Sequence, residues 1–164
     1  MCDLTSQKID PPSLFPESLD VSADIILSST LKRAKDCFKK NEGEECVYLP
    51  ELKEVPFALD KICSKEEWIK EKSVAVRRNF KKAFINDQLL LSRRKIFDEI
   101  RQLLSLCKKK SLKGEVAVIS HSFRLALIEA YIKTKGEIEI NPDLIHQYIS
   151  DEKKRYEFGE GFTV

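Results

Sequence analysis

The sequence predicts an α/β protein in which helices cover both faces of a mainly parallel sheet. Two short apolar runs, DIILSS (24–29) and EVAVIS (115–120), have the length and apolar content of buried strands. Each run is followed at once by residues with the apolar spacing of a helix. Strands that alternate with helices are typical of parallel sheets, because crossover helices cover both faces. We therefore expect a three-layer α/β/α architecture.

The first third of the chain contains an irregular segment, a strand and a helix. Residues 1–20 contain three prolines and predict an irregular N-terminal segment, and we expect residues 21–164 to form a single domain. After the first strand, STLKRAKDCFKKN (29–41) predicts a helix that a hydroxyl residue of 28–30 can cap. The following CVYLPELKEVPF (46–57) predicts a partly extended segment held by its two prolines.

Helices dominate the rest of the pattern. Ser64 predicts the start of a long helix, with Glu67 completing a capping box. A second long helix is expected near 88–110. After the second strand we expect a helix closed by Gly136, then a helix that begins after Asn141-Pro142. The tail, 154–164, predicts an edge strand. The apolar stripe expected on the first long helix consists of Trp68, Val76, Phe80 and Phe84, and that on the second of Leu89, Ile96, Ile100, Leu103, Leu104 and Cys107.

Composition excludes several classes of function. The net charge is only +2, and the basic clusters are interleaved with acids, so neither nucleic acid nor a membrane surface is an expected partner. Five cysteines without C-x-x-C spacing indicate reduced thiols, with no disulfide framework and no zinc site. No apolar run reaches the length of a membrane span. We expect a cytoplasmic protein without a metal or another cofactor.

Polar side chains follow each predicted strand where ligands usually bind in such sheets. Ser29 and Arg33 follow the first strand, and a guanidinium offers paired donors to the oxygens of a phosphate monoester. His121 follows the later strand and could donate to an oxyanion or transfer a proton, and Ser122 adds amide donors. Glu54 lies in the proline-fixed loop, where an acid could protonate a leaving oxygen. The simpler interpretation of each residue is structural: a surface arginine, a hydrogen-bonded histidine and a solvated glutamate.

As a set, these segments resemble the phosphoglycerate mutase-like histidine phosphatase superfamily over roughly residues 20–150. SSTLKRA (28–34) is similar to the family's Ser-Ser-Pro-Leu-x-Arg-Ala, LKE (52–54) to its Leu-x-Glu, and SHS (120–122) to its Ser-His-Gly. The resemblance implies a phosphoglycerate mutase-like fold and a phosphate-containing small molecule or anion as ligand. It also implies that Arg33 and His121 contact the phosphate and that Glu54 is the acid.

This sequence departs from the family pattern at three motif positions and lacks the segment that supplies the attacking histidine. Thr30, Ala58 and Ser122 stand where the family has proline, glycine and glycine. The family's first strand, whose Arg-His-Gly supplies the attacking histidine, has no counterpart, because neither His121 nor His146 follows an arginine. We expect His146 to be a packed or partly exposed helix residue. Arg124 is not at the offset of the family's helix arginine, so we assign it no role.

The missing strand has a structural consequence. Its loss would expose a sheet edge that soluble proteins avoid, so we expect residues 1–20 or a second copy of the chain, in a homodimer, to cover the gap.

Our leading interpretation is a divergent histidine phosphatase-like protein with a partial phosphate site and no nucleophilic histidine, a pseudoenzyme with little or no turnover. One alternative is an active phosphomonoesterase with a rearranged site, in which Arg33 and His121 converge on one anion opposite a nucleophile. The other is a protein-interaction module that kept the fold and docks through the helices of 64–110.

Overall fold

Three parallel strands form the centre of the fold. The computed structural model describes residues 18–149, 156 and 159–163. The strands β1 (Ile25–Ser29), β2 (Glu45–Leu49) and β3 (Val116–Ile119) lie in the order β2-β1-β3. The central strand β1 is buried along its whole length, whereas β2 and β3 are partly exposed edges. Because all three strands are parallel, their carboxyl ends meet at one edge of the sheet.

Helices connect and cover these strands. Two 3₁₀ turns, Pro50–Leu52 and Glu137–Glu139, lie in the connections. The helices are α1 (Lys32–Lys35), α2 (Leu59–Ile62), α3 (Lys65–Glu71), α4 (Ser73–Ile85), α5 (Arg93–Lys110), α6 (Ser122–Lys133) and α7 (Pro142–Ile149).

Two apolar clusters, one on each face of the sheet, produce three layers. Ile25 and Leu27 of β1 belong to the large cluster, which includes side chains of α4, α5, α6 and α7. Ile26, on the alternate face of the same strand, packs with Cys37 and Phe38 just after α1. The predicted three-layer α/β/α class with a parallel sheet is therefore confirmed.

The close approach of β3 to β1 depends on Gly114. A Cβ atom at this position would collide with Oδ2 of Asp24 and would lie 2.7 Å from the Cβ of Asp24. The same Oδ2 accepts from the amide of Glu115 at 2.8 Å, which fixes the start of β3 beside the start of β1. This register brings Ser28 opposite Ile119, so the residues that follow the two strands emerge side by side.

Several expected helix boundaries are wrong. The helix after β1 spans only Lys32–Lys35, because Phe38 pairs with Leu19 instead of continuing the helix. Its N-cap is Leu31, not a hydroxyl residue of 28–30. The helix near 88–110 begins at Arg93, where Ser92 accepts from the amide of Lys95 at 3.3 Å, so its predicted stripe loses Leu89.

The helix that starts at Ser64 is also interrupted. The capping box is present, with Glu67 N 3.1 Å from Ser64 Oγ and Ser64 N 2.9 Å from a Glu67 carboxylate oxygen. Lys72 then takes a positive φ of 52°, which ends α3 and redirects the chain into α4. Trp68, on α3, is 42% exposed and does not belong to the core stripe, whereas Phe80 and Phe84 on α4 do.

The structure tests only part of what the sequence predicts for the two ends of the chain. Residues 1–17 lie outside the described residues, and Leu19 packs beside Cys37 and Phe38 on the α1 face of the sheet. The tail expected to form an edge strand is described only at 156 and 159–163, and those residues are not in a strand. Whether a second copy covers the sheet edge therefore stays a prediction. Within the described part of the chain, no helix is long and apolar enough to cross a membrane.

Candidate functional site

The three segments that follow the strands meet at the carboxyl edge of the sheet. Ser120, directly after β3, donates from Oγ to the carbonyl of Leu52 at 2.7 Å. Arg124, in the first turn of α6, donates from Nε to the carbonyl of Lys53 at 3.0 Å. These two bonds fasten the loop after β2 to the start of α6. Together with the contacts of His121 described next, they assemble one polar cluster from three distant parts of the sequence.

His121 joins the first segment to the third. Arg33 Nε lies 3.2 Å from Nδ1 of His121, and Ser29 Oγ lies 3.0 Å from Nε2, although about 90 residues separate the partners. Because a guanidinium Nε always carries hydrogen, Nδ1 must accept this bond. The ring proton then lies on Nε2 and is donated to Ser29. His121 is only 9% exposed, so these bonds fix its orientation inside the protein.

Ser29 is an acceptor in this arrangement. Its Oγ accepts from the Nε2–H of His121 and also from the amide of Leu31 at 3.2 Å. A serine nucleophile needs a base that takes its proton, and the ring nitrogen that faces Ser29 is already protonated. His121 therefore does not activate Ser29 as a nucleophile, and the side chain of Ser29 is fully buried.

Glu54 caps the start of α6. Its carboxylate accepts from the amide of Phe123 at 3.3 Å and from its neighbour Val55 at 3.0 Å. Burial of the carboxyl group raises the pKa of Glu54, against the lowering effects of these amides and of the positive charges of Arg124 and Arg33. A carboxylic acid that keeps its proton to a higher pH is suited to donate it to a leaving oxygen.

An aromatic cluster forms the apolar side of this loop. The Phe123 ring packs on Phe80 at 4.7 Å and on Phe84 at 5.4 Å between ring centroids, and Phe57 lies 5.1 Å from Phe80. Since Phe123 also supplies the amide that binds Glu54, the cluster holds the start of α6 against α4. The packing of the Phe123 ring therefore helps to position the amide that Glu54 accepts from.

Arg124, in the first turn of α6, is a buried cation. Its side chain is 2% exposed, and Nη2 donates to a carboxylate oxygen of Glu99 on α5 at 3.2 Å. Burial lowers the pKa of this guanidinium, while the neighbouring charges of Glu99, Glu54 and Glu51 raise it. Glu99 and the carbonyl of Lys53 thus hold Arg124 close enough to Glu54 for the two charges to interact.

The structure brings together all five residues that the sequence singled out, with some roles changed. Ser122 Oγ accepts from the amide of Tyr156 at 3.2 Å, so its hydroxyl is engaged in holding the C-terminal part of the chain. Arg33 lies in a helix of only four residues, and its Nε contacts Nδ1 of His121. His146 lies exposed on α7, apart from the other histidine.

Arg124 and Glu99 were missed by sequence reasoning, although a signal was present. Arg124 lies three and four residues before Leu127 and Ile128, and Glu99 lies four residues before Leu103. These apolar residues are buried in the core. A charged residue at a core-facing helical position indicates a buried ion pair, because an isolated buried charge is too costly.

A cavity lies at the opposite edge of the sheet. Its volume is about 410 Å³, and its lining includes Asp24, Glu42, Glu44 and Glu115 near the amino ends of the strands. This acidic lining disfavours an anionic ligand, so the cavity is not a phosphate site. Over the residues that the structure describes, no group of three or more His, Cys, Asp or Glu side chains is arranged to hold a metal ion.

A scan against protein-family models finds no match, and comparisons with curated proteins and with solved structures find no significant similarity. The resemblance to histidine phosphatases therefore stays a prediction that rests on three short motifs and on the cluster they form.

Proposed function

We propose that this chain is a divergent, phosphoglycerate mutase-like histidine phosphatase relative that binds a phosphate-containing anion at the carboxyl edge of its sheet. The observation that carries the proposal is the contact of Arg33 with His121. Residues from two motifs, 88 positions apart, share one hydrogen bond at the place where an α/β sheet binds ligands.

The chemistry of the cluster supports an oxyanion as the ligand. Arg33 supplies positive charge, and Ser29 retains a hydroxyl hydrogen to donate, since its oxygen accepts from both His121 and Leu31. Arg33 Nε already donates to Nδ1 of His121, so an arriving anion competes for a donor that has a protein partner. The residues of the site are thus already in place, but we expect them to bind an anion weakly until the anion displaces their present hydrogen-bond partners.

Efficient turnover is not part of the proposal. In the histidine phosphatase family, a histidine attacks phosphorus, and His121 is held here by bonds on both ring nitrogens. Loss of a nucleophile can lower turnover on the order of a millionfold. Glu54, whose pKa is raised, would remain as a proton donor, but the site would lack a residue that attacks the phosphorus atom.

A second candidate, a protein-interaction module, is favoured by a specific observation. The main donors of the cluster are already paired within the protein, including the amide of Phe123 with Glu54 and Arg33 Nε with His121. On this alternative the polar cluster is a structural element, and the exposed side chains of the 64–110 helices, such as Trp68, would contact the partner.

Binding of inorganic phosphate separates these candidates. The unaltered chain, Arg33→Ala and Lys109→Ala are titrated by calorimetry. Lys109 is an exposed residue near the C-terminal end of α5, and its neighbour Lys110 pairs with Glu45 at the amino end of the sheet. The proposal expects Arg33→Ala to weaken binding about 10- to 100-fold, the value of a charged hydrogen bond, with little effect of Lys109→Ala. Binding that survives Arg33→Ala unchanged, or no binding at all, would favour the interaction module.

Hydrolysis of an aryl phosphate tests the active phosphomonoesterase. Turnover is measured from about pH 4 to about pH 9 for the unaltered chain and for His121→Ala. We expect no turnover above background. Turnover that disappears in His121→Ala would establish an enzyme with a rearranged site.

A further inference from the structure

Arg124 has a buried donor without a partner. Nε and Nη2 of its guanidinium donate to the carbonyl of Lys53 and to Glu99, but Nη1 is buried and has no hydrogen-bond partner among residues 18–149, 156 and 159–163. A buried polar group left unpaired is unfavourable, and more so when it is charged. Such a group calls for a specific explanation, of which a bound ion or ligand is one.

The unpaired donor belongs to the first turn of α6. The bond from Leu125 N to His121 O, at 2.8 Å, closes the first turn of the helix, so the amides of 122–124 have no acceptor within it. Glu54 binds the amide of Phe123, and its charge interacts with that of Arg124. The carbonyl that Arg124 Nε binds belongs to Lys53, next to Glu54 in sequence. The guanidinium therefore adjoins the same end of α6 that carries His121.

A second unpaired atom lies at the same edge of the sheet. Oγ1 of Thr30 is buried and has no partner in the described part of the chain. Thr30 directly follows Ser29, whose hydroxyl binds His121. The buried atoms without partners on Arg124 and Thr30 thus belong to the segments that follow β3 and β1, in which residues proposed to bind an anion also lie.

We propose that Arg124 supplies the second guanidinium of the anion site, where an incoming phosphate accepts from Nη1 and replaces the Glu54 carboxylate at the amide of Phe123. The inference rests on the proposed function and narrows its ligand class. Arg33 and Arg124 together suit a dianionic phosphate, either inorganic or the terminal group of a monoester, because its two negative charges match two guanidinium groups and its terminal oxygens accept paired donors. Glu54 keeps the amide of Val55 as a partner after it is displaced.

The decisive variant removes the donor without changing the net charge. Arg124→Leu combined with Glu99→Leu deletes one positive and one negative charge, so a loss of phosphate affinity reports the missing donor and not a change in the field of the protein. Buried ion pairs replaced by apolar side chains usually leave a folded protein, which circular dichroism verifies. Arg124→Lys is the second variant, since it keeps a charge opposite Glu99 but loses the forked donors.

Inorganic phosphate and phenyl phosphate are the probes, titrated by calorimetry against the unaltered chain, both Arg124 variants, Arg33→Ala and Lys109→Ala. We expect both Arg124 variants to bind inorganic phosphate about 10-fold more weakly and Lys109→Ala to bind it unchanged. Tighter binding of phenyl phosphate that also depends on Arg124 would identify a monoester as the preferred form.

The outcomes separate this inference from the proposal on which it rests. If either folded Arg124 variant binds phosphate within about twofold of the unaltered chain while Arg33→Ala does not, Arg124 is a structural cation and only the present inference fails. If the unaltered chain binds neither probe, the proposed function fails and the inference fails with it.

Discussion

The buried pair of Arg124 and Glu99 predicts a strongly non-additive effect of mutation on stability. Arg124→Leu leaves Glu99 unpaired with only 14% of its side chain exposed, and it also leaves the carbonyl of Lys53 without a donor. Breaking a buried pair costs about 3–5 kcal/mol. We expect about 3 kcal/mol here, the lower limit, because the exposed part of Glu99 can recruit water.

Glu99→Leu is expected to cost a similar amount, because it leaves a guanidinium that is 2% exposed without its hydrogen-bonded carboxylate, although the charges of Glu54 and Glu51 remain nearby. The double variant removes both charges, and directly contacting residues show coupling of up to about 3 kcal/mol. We therefore expect the double variant to lose about 3 kcal/mol in total, whereas independent effects would add to about 6 kcal/mol.

Urea unfolding at neutral pH, followed by circular dichroism, measures the four free energies of this cycle. A matched cycle at Arg101 and Glu139, where the arginine side chain is 45% exposed, should show coupling of at most about 1 kcal/mol. Additive losses at Arg124 and Glu99 would refute the reasoning, since they would mean that the two charges do not compensate each other in the folded protein.

Three further predictions concern the site and its supports. Burial raises the pKa of Glu54 above its ordinary value of 4.5, so the stability that its proton contributes is complete below that pH and is lost as the pH rises through the raised pKa. Glu54→Gln should thus gain stability relative to the unaltered chain as the pH rises, measured by urea unfolding at several pH values. Phe84→Ala should lower the free energy of unfolding by about 3–5 kcal/mol, because the ring is fully buried against Phe97 and Phe123. Gly114→Ala should cost about 1–3 kcal/mol in the same assay, because its Cβ would collide with Asp24.

Each of these predictions has a contrary result, and those at Glu54 and Gly114 also have a control variant. Glu66→Gln, at an exposed helix position, is the control, and an equal rise in stability with pH for the Glu54 and Glu66 variants would exclude burial as the cause. Gly161 has no neighbouring atom within 4 Å of an added Cβ, so Gly161→Ala should be nearly neutral. A neutral Gly114→Ala would mean that β3 shifts away from Asp24 at little cost. A loss below about 1 kcal/mol at Phe84 would mean that its neighbours close the cavity.

Sequence periodicity predicted the three layers of the fold more accurately than it predicted where each helix begins and ends. The runs 24–29 and 115–120 became β1 and β3 because continuous apolar residues suit a strand buried on both faces. The single helix predicted from Ser64 is wrong, because the chain changes direction at Lys72. That change depends on a positive φ, which no local sequence pattern required. The short α1 reflects a tertiary contact, the pairing of Leu19 with Phe38.

The sequence predicted where the candidate site lies better than it predicted the hydrogen bonds within the site. Parallel strands bring their carboxyl ends together, so the proximity of Ser29, Glu54 and His121 follows from the fold class. The partners of each group do not, because hydrogen bonds such as Glu54 to the amide of Phe123 depend on how a loop and a helix dock. Arg124 shows the limit most clearly, since its role is set by Glu99 on another helix.

The distance in sequence between Ser29 and His121 has a consequence for how the protein forms. Their hydrogen bond closes a loop of about 92 residues, at an entropic cost of about 4 kcal/mol from loop length alone. A nascent chain that has emerged only through α5 holds Arg33 and Glu54 but neither β3 nor the histidine. The polar cluster and the third strand are therefore completed together, only after α5 has emerged, and a ligand bound there would stabilise the newly closed sheet.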